Sequence, residues 1–219
     1  MSQSLVLYYS PRACSLACHI ALEESGLPFE ARLVRLRAGE HQTAAYKSVN
    51  PWGKIPALAV GDEVLTEAQA ILTYISGAAP AAKLLPADGT WARARAHEWM
   101  NFLSSSVHIA FRPLFRPNLM LEDPAMAPKL RARGIPILRE VLTEVDRRLA
   151  GRQWALGEHY SVCDPYLLVF YIWSQREDVV GDVPELPNYR DLAARVLARP
   201  ATSRALAREG LDAAALRAP

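Results

Sequence analysis

Apolar positions along this chain change their period once. Up to about residue 77 they come in short runs and alternations, and from about residue 90 they recur every three to four residues. Leu5-Val6-Leu7-Tyr8-Tyr9 is a continuous apolar run of strand formers closed by Ser10-Pro11, which predicts a buried strand. Leu16, Ala17, Ile20 and Ala21 then share a helical face that starts near Cys14 and stops at Gly26-Leu27-Pro28. From Phe29 to Leu36 apolar residues alternate with arginines, as in a strand buried on one face. Ala57-Leu58-Ala59-Val60 and Glu63-Val64-Leu65 flank Gly61-Asp62 and predict a hairpin, and Ala70, Ile71, Tyr74 and Ile75 recur at helical spacing behind Thr66-Glu67. The first part therefore reads βαβ then ββα, an α/β unit with a mixed sheet.

Residues 79–89, with Pro80, Pro86 and Gly89, read as a linker between a unit at 1–78 and a second at 90–219. The second unit reads as an all-α bundle, with helices near 90–112, 126–150, 163–176, 188–198 and 201–209 and a kink expected at Pro136. Tyr166 to Trp173 is apolar all round, which marks the central helix of the bundle. Ser161-x-x-Asp164 just ahead of it has the form of a capping box with Asp in place of Glu.

Composition narrows the function classes. Of 219 residues 51% are hydrophobic and 22% charged, and the net charge of +2 from 25 basic and 23 acidic side chains gives no field to hold a nucleic acid backbone. No apolar stretch approaches the roughly 20 residues that span a bilayer. Met1-Ser2-Gln3-Ser4 leads straight into a strand with no targeting pattern, so the sequence reads as cytoplasmic. Cys14, Cys18 and Cys163 lack C-x-x-C spacing, which argues against a disulfide framework and a zinc site; no metal is expected.

Three segments carry a resemblance. Tyr8-Tyr9-Ser10-Pro11-x-Ala13-Cys14-Ser15-Leu16-x-x-His19-Ile20-Ala21-Leu22, Asn50-Pro51-x-Gly53-x-Ile55-Pro56-Ala57-Leu58 and Leu65-Thr66-Glu67-x-x-Ala70-Ile71 follow in that order, with Glu98-Trp99-x-Asn101-Phe102, His108 and Pro113-Leu114-Phe115 downstream. Together they resemble the glutathione transferase family, most nearly its bacterial beta class, over nearly the whole chain. The resemblance implies a thioredoxin-like N-terminal domain that binds glutathione, an all-helical domain that carries the electrophile site, and a homodimer.

The same resemblance assigns candidate roles. Cys14 opens the first helix, where free N–H groups and the helix dipole favour a thiolate; the class implies contact with the glutathione sulfur and the capacity for a mixed disulfide. Cys14, Ser15, Ser10, Tyr9 and His108 are candidate hydrogen-bond donors to that sulfur, and Ala13 stands where serine-type classes would carry a hydroxyl. Ile55-Pro56 matches the family's cis-proline turn, whose Ile55 backbone faces the cysteinyl part of glutathione. Glu67 is placed to receive the γ-glutamyl ammonium while the amides of Ala68 and Gln69 hold its carboxylate. Arg37 and Lys54 are placed to meet the glycine carboxylate, with Trp52 replacing the more usual lysine. His97, Asn101, Ser104 or Ser105, and His108 fall about a turn apart and predict a polar stripe on the first helix of the bundle, of which Asn101 and His108 are the site candidates. Cys18 is expected in the core, and Phe111, Phe115, Tyr166 and Trp173 carry no assigned role.

Conjugation of glutathione to hydrophobic electrophiles is the leading function. Glutathione-dependent thiol–disulfide exchange or peroxide reduction through Cys14 is an alternative. A non-catalytic ligand-binding or interaction module is another, disfavoured by intact Cys14, Ile55-Pro56 and Glu67.

Overall fold

The computed structural model describes residues 4–212 and Leu216, so Met1-Ser2-Gln3 and most of the last few residues of the expected helical unit lie outside the described residues. β1 (Leu5–Tyr9), α1 (Ser15–Ser25), β2 (Glu30–Leu33), the one-turn α2 (Ala44–Lys47), β3 (Ala57–Val60), β4 (Glu63–Thr66) and α3 (Ala68–Ala78) form the first unit. The sheet order is β2-β1-β3-β4, with β1 parallel to β2, antiparallel to β3, and β3 antiparallel to β4. This is a thioredoxin-like mixed sheet. β1 sits centrally, with Leu5, Leu7 and Tyr9 buried, which is why its sequence is a continuous apolar run rather than a clean alternation.

Two expectations change here. The predicted strand from Phe29 to Leu36 is shorter: β2 ends at Leu33 and the chain turns through a 3-10 segment at Leu36–Ala38. As an edge strand β2 alternates exposed and half-buried residues, and pairing stops where β1 runs out at Tyr9. α1 is also not one-sided: Ser15 through Glu23 are all buried, between the sheet and the helical unit. Its polar face is covered because it meets its partners there. His19 Nδ1 lies 2.9 Å from Glu209 Oε1 with both side chains fully buried, Glu23 pairs with Arg204 at 2.7 Å, and Glu24 accepts from Arg199 at 3.0 Å.

The helical unit comprises α4 (Trp91–Phe102), α5 (His108–Ala110), α6 (Arg112–Phe115), α7 (Ala127–Leu149), α8 (Cys163–Ser174), α9 (Pro187–Leu197) and α10 (Pro200–Arg208). α8 is buried along its whole length, as its all-round apolar sequence predicts. Its N-terminus carries the expected box in modified form: Ser161 N–H donates to Asp164 Oδ2 at 2.7 Å, and Ser161 Oγ accepts from Cys163 N–H at 3.3 Å. α7 runs unbroken through Pro136. α6 packs on α7 at Gly134, where an added Cβ would stand 2.6 Å from Pro113 Cβ, so a larger residue would push the two helices apart.

The predicted helix at 90–112 contains a π turn at Leu103–Val107 between α4 and α5. One extra residue in the turn rotates everything beyond it by about 100°. The expected polar stripe is therefore broken. His97 accepts from Arg93 Nε at 3.2 Å beside the linker, Asn101 and Ser105 face outward, and His108 turns inward against aromatic rings.

Candidate active site

The C-terminal ends of β1 and α1's first turn, the turn before β3, and the start of α3 converge on Cys14. Asn50, buried, builds the turn: its Nδ2 donates to Lys54 O at 2.8 Å and its Oδ1 accepts from Trp52 N–H at 3.1 Å. Tyr46 OH donates to the same carbonyl at 2.7 Å. Gly53 sits at φ +57°, and a Cβ there would meet His41 O at 2.7 Å, so the turn admits glycine alone. These contacts deliver Ile55-Pro56, whose peptide is cis, to the Cys14 thiol. Cys14 Sγ lies 3.4 Å from Ile55 O and donates to it.

Cys14 departs from the expected thiolate. The residue is partly exposed, but burial of its sulfur pushes the thiol up to about 11. The Cys14 and Ser15 amides and the Arg116 charge pull it down and Glu67 pushes it up, and loss of solvation wins. At neutral pH the thiol keeps its proton and acts as a donor. Cys18 is fully buried and donates to Ala68 O at 3.8 Å, a core residue as expected.

Two other predicted donors are engaged within the protein. Ser15 Oγ is buried, accepts from Ser10 N–H and donates to Ser10 O, both at 3.2 Å, which ties the loop ahead of α1 into shape. Tyr9 OH donates to Arg208 O at 3.3 Å, and its ring stands 5.2 Å from His19, because the alternation of β1 turns Tyr9 toward α1 and α10. The structure therefore does not bring the Tyr9 and Ser15 hydroxyls to the thiol.

Glu67 is exposed at the N-cap of α3 with φ +67°. A left-handed non-glycine backbone costs on the order of 1–3 kcal/mol and persists where the surroundings impose it. Ala68 is buried at the first position of α3, and the leading amides of that helix have no intrahelical acceptor. Lys54 is exposed with Nζ 5.8 Å from the Trp52 ring centre, and Trp52 is 77% exposed at the rim. Arg37 is exposed on the 3-10 turn after β2.

His108 stacks edge-on against Trp173 at 5.0 Å and lies 5.6 Å from Phe170. Burial, then the Arg112, Lys54 and Arg116 charges, pulls its imidazole down to about 4. Because that value lies below the ordinary 6.5, the folded state binds less proton than the unfolded chain between the two. The His108 contribution to stability thus rises with pH across that window and is flat above it. An NMR titration is expected to show no His108 ring shift from about pH 8 down to about pH 5.5; a midpoint near 6.5 would contradict the assignment.

Two features had no sequence signal. Arg12, two residues before Cys14, adopts φ +61°, and Trp173 Nε1 of α8 donates to its carbonyl at 2.8 Å, so the helical unit holds the Cys14 loop directly. Arg116, just after α6, exerts its charge on Cys14, His108 and His41 together. Among the described residues no group of His, Cys, Asp and Glu could hold a metal ion, and no helix is long and apolar enough to cross a membrane.

Known proteins resemble this chain in sequence and in fold. Residues 4–77 fit the family described as glutathione S-transferase, N-terminal domain. A glutathione S-transferase of Xanthomonas campestris pv. campestris is 37% identical over 94% of this chain and 99% of its own. A bacterial beta class glutathione S-transferase of Sphingomonas chungbukensis superposes with a TM-score of 0.83 at 36% identity, covering 94% of this chain and 100% of that one. A sphingomonad glutathione S-transferase solved in complex with glutathione gives 0.81 at 38% identity over 94% and 100%. With sequence and overall fold in agreement along nearly its full length, this chain belongs to the glutathione S-transferase family, in its bacterial beta type.

Proposed function

We propose that the enzyme conjugates reduced glutathione to hydrophobic electrophiles by stabilising the glutathione thiolate. An unperturbed thiol with pKa about 8.5 is about 3% ionised at pH 7; lowering it by about two units takes about 2.7 kcal/mol and raises the ionised fraction to about 75%. The observation that carries this reading is the Cys14 thiol at the N-terminus of α1, 3.4 Å from the Ile55 carbonyl to which it donates, with burial favouring its protonated form. It donates to the bound sulfur, and the amides at the N-terminus of α1 add positive potential. The thiol proton leaves to solvent, the sulfur attacks the electrophilic carbon, a C–S bond forms and the leaving group departs with its electron pair. Proximity and charge stabilisation supply the rate.

Glutathione binds across the first unit in this reading. Glu67 receives its ammonium, the Ala68 and Gln69 amides its γ-glutamyl carboxylate, the Ile55 backbone its cysteinyl portion, and Arg37 and Lys54 its glycine carboxylate. His108 borders the site from the helical unit, and Asn101, which faces outward, drops out of this reading. The relative solved with glutathione supports glutathione as the ligand. We read the protein as a cytoplasmic detoxification enzyme, with units at 1–78 and 90–219. We also read it as a homodimer, with dimer contacts in the helical unit.

Cys14→Ala tests the reading. Conjugation of 1-chloro-2,4-dinitrobenzene is expected to fall about tenfold, the effect of removing one donor among several, while exchange with a glutathione mixed disulfide falls to background. Equal and complete loss of both would place covalent chemistry at Cys14 ahead of thiolate stabilisation.

A further inference from the structure

Among the described residues most arginines of the helical unit have a carboxylate within reach. Arg131 meets Asp182, Arg147 and Arg148 meet Glu144, Arg176 meets Asp178, and Arg199 and Arg204 meet Glu24 and Glu23. Arg112 and Arg116 do not: among the described residues neither guanidinium has a hydrogen bond or ion pair, and both are exposed. They stand at i and i+4, on one face of the turn formed by α6, where two like charges repel each other and favour an anion brought from outside.

Arg116 acts on Cys14 and His41 from the first unit and on His108 from the second, and Arg112 and Lys54 also act on His108. Phe115, between the two arginines, packs against Trp173 at 5.5 Å, and Trp173 also carries His108 at 5.0 Å and the Arg12 carbonyl. An aromatic cluster that holds the Cys14 loop through the Arg12 carbonyl is thus flanked by two uncompensated cations, of which Arg116 acts on Cys14 and both act on His108. Among the described residues the carboxylate whose charge reaches Cys14 is Glu67, at the N-terminus of α3. Arg176 stacks over Phe115 at 4.1 Å but is neutralised by Asp178 at 2.9 Å, so it adds surface rather than charge.

We propose that Arg116, backed by Arg112, selects as second substrate an aromatic electrophile that carries an anionic group, its ring against Trp173, Phe115 and His108 and its carboxylate or sulfonate on the arginine pair. This rests on the conjugation reading above and names its substrate class. Glutathione's own carboxylates are met by residues of the first unit, which leaves the α6 arginines for the other reactant.

The test compares 1-chloro-2,4-dinitrobenzene with 4-chloro-3,5-dinitrobenzoate, which share leaving group and chemistry: the glutathione sulfur bonds to the ring carbon, chloride departs, and the thiol proton goes to solvent. The ratio of kcat/KM for the anionic over the neutral substrate is expected to fall about tenfold in Arg116→Gln, as for loss of a charge-assisted contact. It should fall further in Arg116→Glu and partly in Arg112→Gln. The change should lie in KM for the benzoate, with KM for glutathione constant, and the wild-type ratio should decline with added salt. An unchanged ratio in Arg116→Gln overturns the proposal, as does a raised KM for glutathione with both electrophiles affected alike. Binding of non-reactive 3,5-dinitrobenzoate, read by tryptophan quenching, involves no conjugation. Arg116-dependent binding without turnover of either substrate would overturn the transferase reading and uphold this one, and turnover with Arg116-independent binding would do the reverse.

Discussion

Replacing Asp164 by alanine lowers the unfolding free energy by about 3–5 kcal/mol, the scale for leaving buried polar partners unsatisfied. Asp164 is fully buried and accepts from Ala155 N–H at 2.7 Å, Ser161 N–H at 2.7 Å and Ser161 Oγ at 3.2 Å. Its carboxylate ties the loop at Ala155 to the first turn of α8, the helix around which the bundle packs. Alanine leaves two buried N–H groups with no acceptor and opens a polar void under the N-terminus of that helix. Desolvation, opposed by these hydrogen bonds, pushes the Asp164 carboxyl up to about 6. The folded state therefore holds the proton more tightly than the unfolded chain, and this group's contribution to stability falls as pH rises from the ordinary 3.8 through about 6. Asn keeps one acceptor, so Asp164→Asn should lose less, about 1–2 kcal/mol. Thermal melting reads the difference: at about 2–4 °C per kcal/mol for a chain of this size, Asp164→Ala should melt roughly 10 °C lower. A shift under about 2 °C would mean that water replaces the carboxylate at no net cost.

The second large effect is on ligand affinity. Glu67→Gln is expected to raise KM for glutathione about thirtyfold, since loss of an ion-assisted hydrogen bond of about 2 kcal/mol converts at about 1.4 kcal/mol per tenfold. Stability should hardly change, because Glu67 is exposed and its carboxylate makes no hydrogen bond within the protein. Glu67→Gly separates the carboxylate from the backbone. Glycine accepts φ +67° at no steric cost, so the fold should be as stable or more so while glutathione affinity is lost. Steady-state kinetics over a wide glutathione range, paired with melting curves, checks both variants. An unaltered KM in Glu67→Gln would remove Glu67 from the ammonium site.

Elements whose burial follows from local pattern were legible in the sequence. β1, the β3–β4 hairpin, α8 and its cap carry runs, turns and capping residues that sequence spacing alone identifies. What the sequence concealed depends on contacts between the two units. The all-round burial of α1 reflects His19, Glu23 and Glu24 meeting Glu209, Arg204 and Arg199, partners some 175 to 190 residues away in the chain. The π turn at Leu103–Val107 has no compositional mark, yet it decides that His108 enters the cleft while Asn101 faces out. At the site, residue identity was readable and protonation was not. A cysteine at a helix start reads as a thiolate, but loss of solvation pushes this one up, and its thiol donates to the Ile55 carbonyl.

Thiolate stabilisation by a protonated Cys14 is the centre of this account, and the pKa of enzyme-bound glutathione tests it most directly. The ultraviolet thiolate band of the complex, titrated with pH in wild type and Cys14→Ala, should give a midpoint about two units below the free thiol in wild type. That midpoint should return part of the way toward the free value in the variant, with no covalent adduct by mass in either. A wild-type midpoint at the free-thiol value, or a variant indistinguishable from wild type, would contradict it.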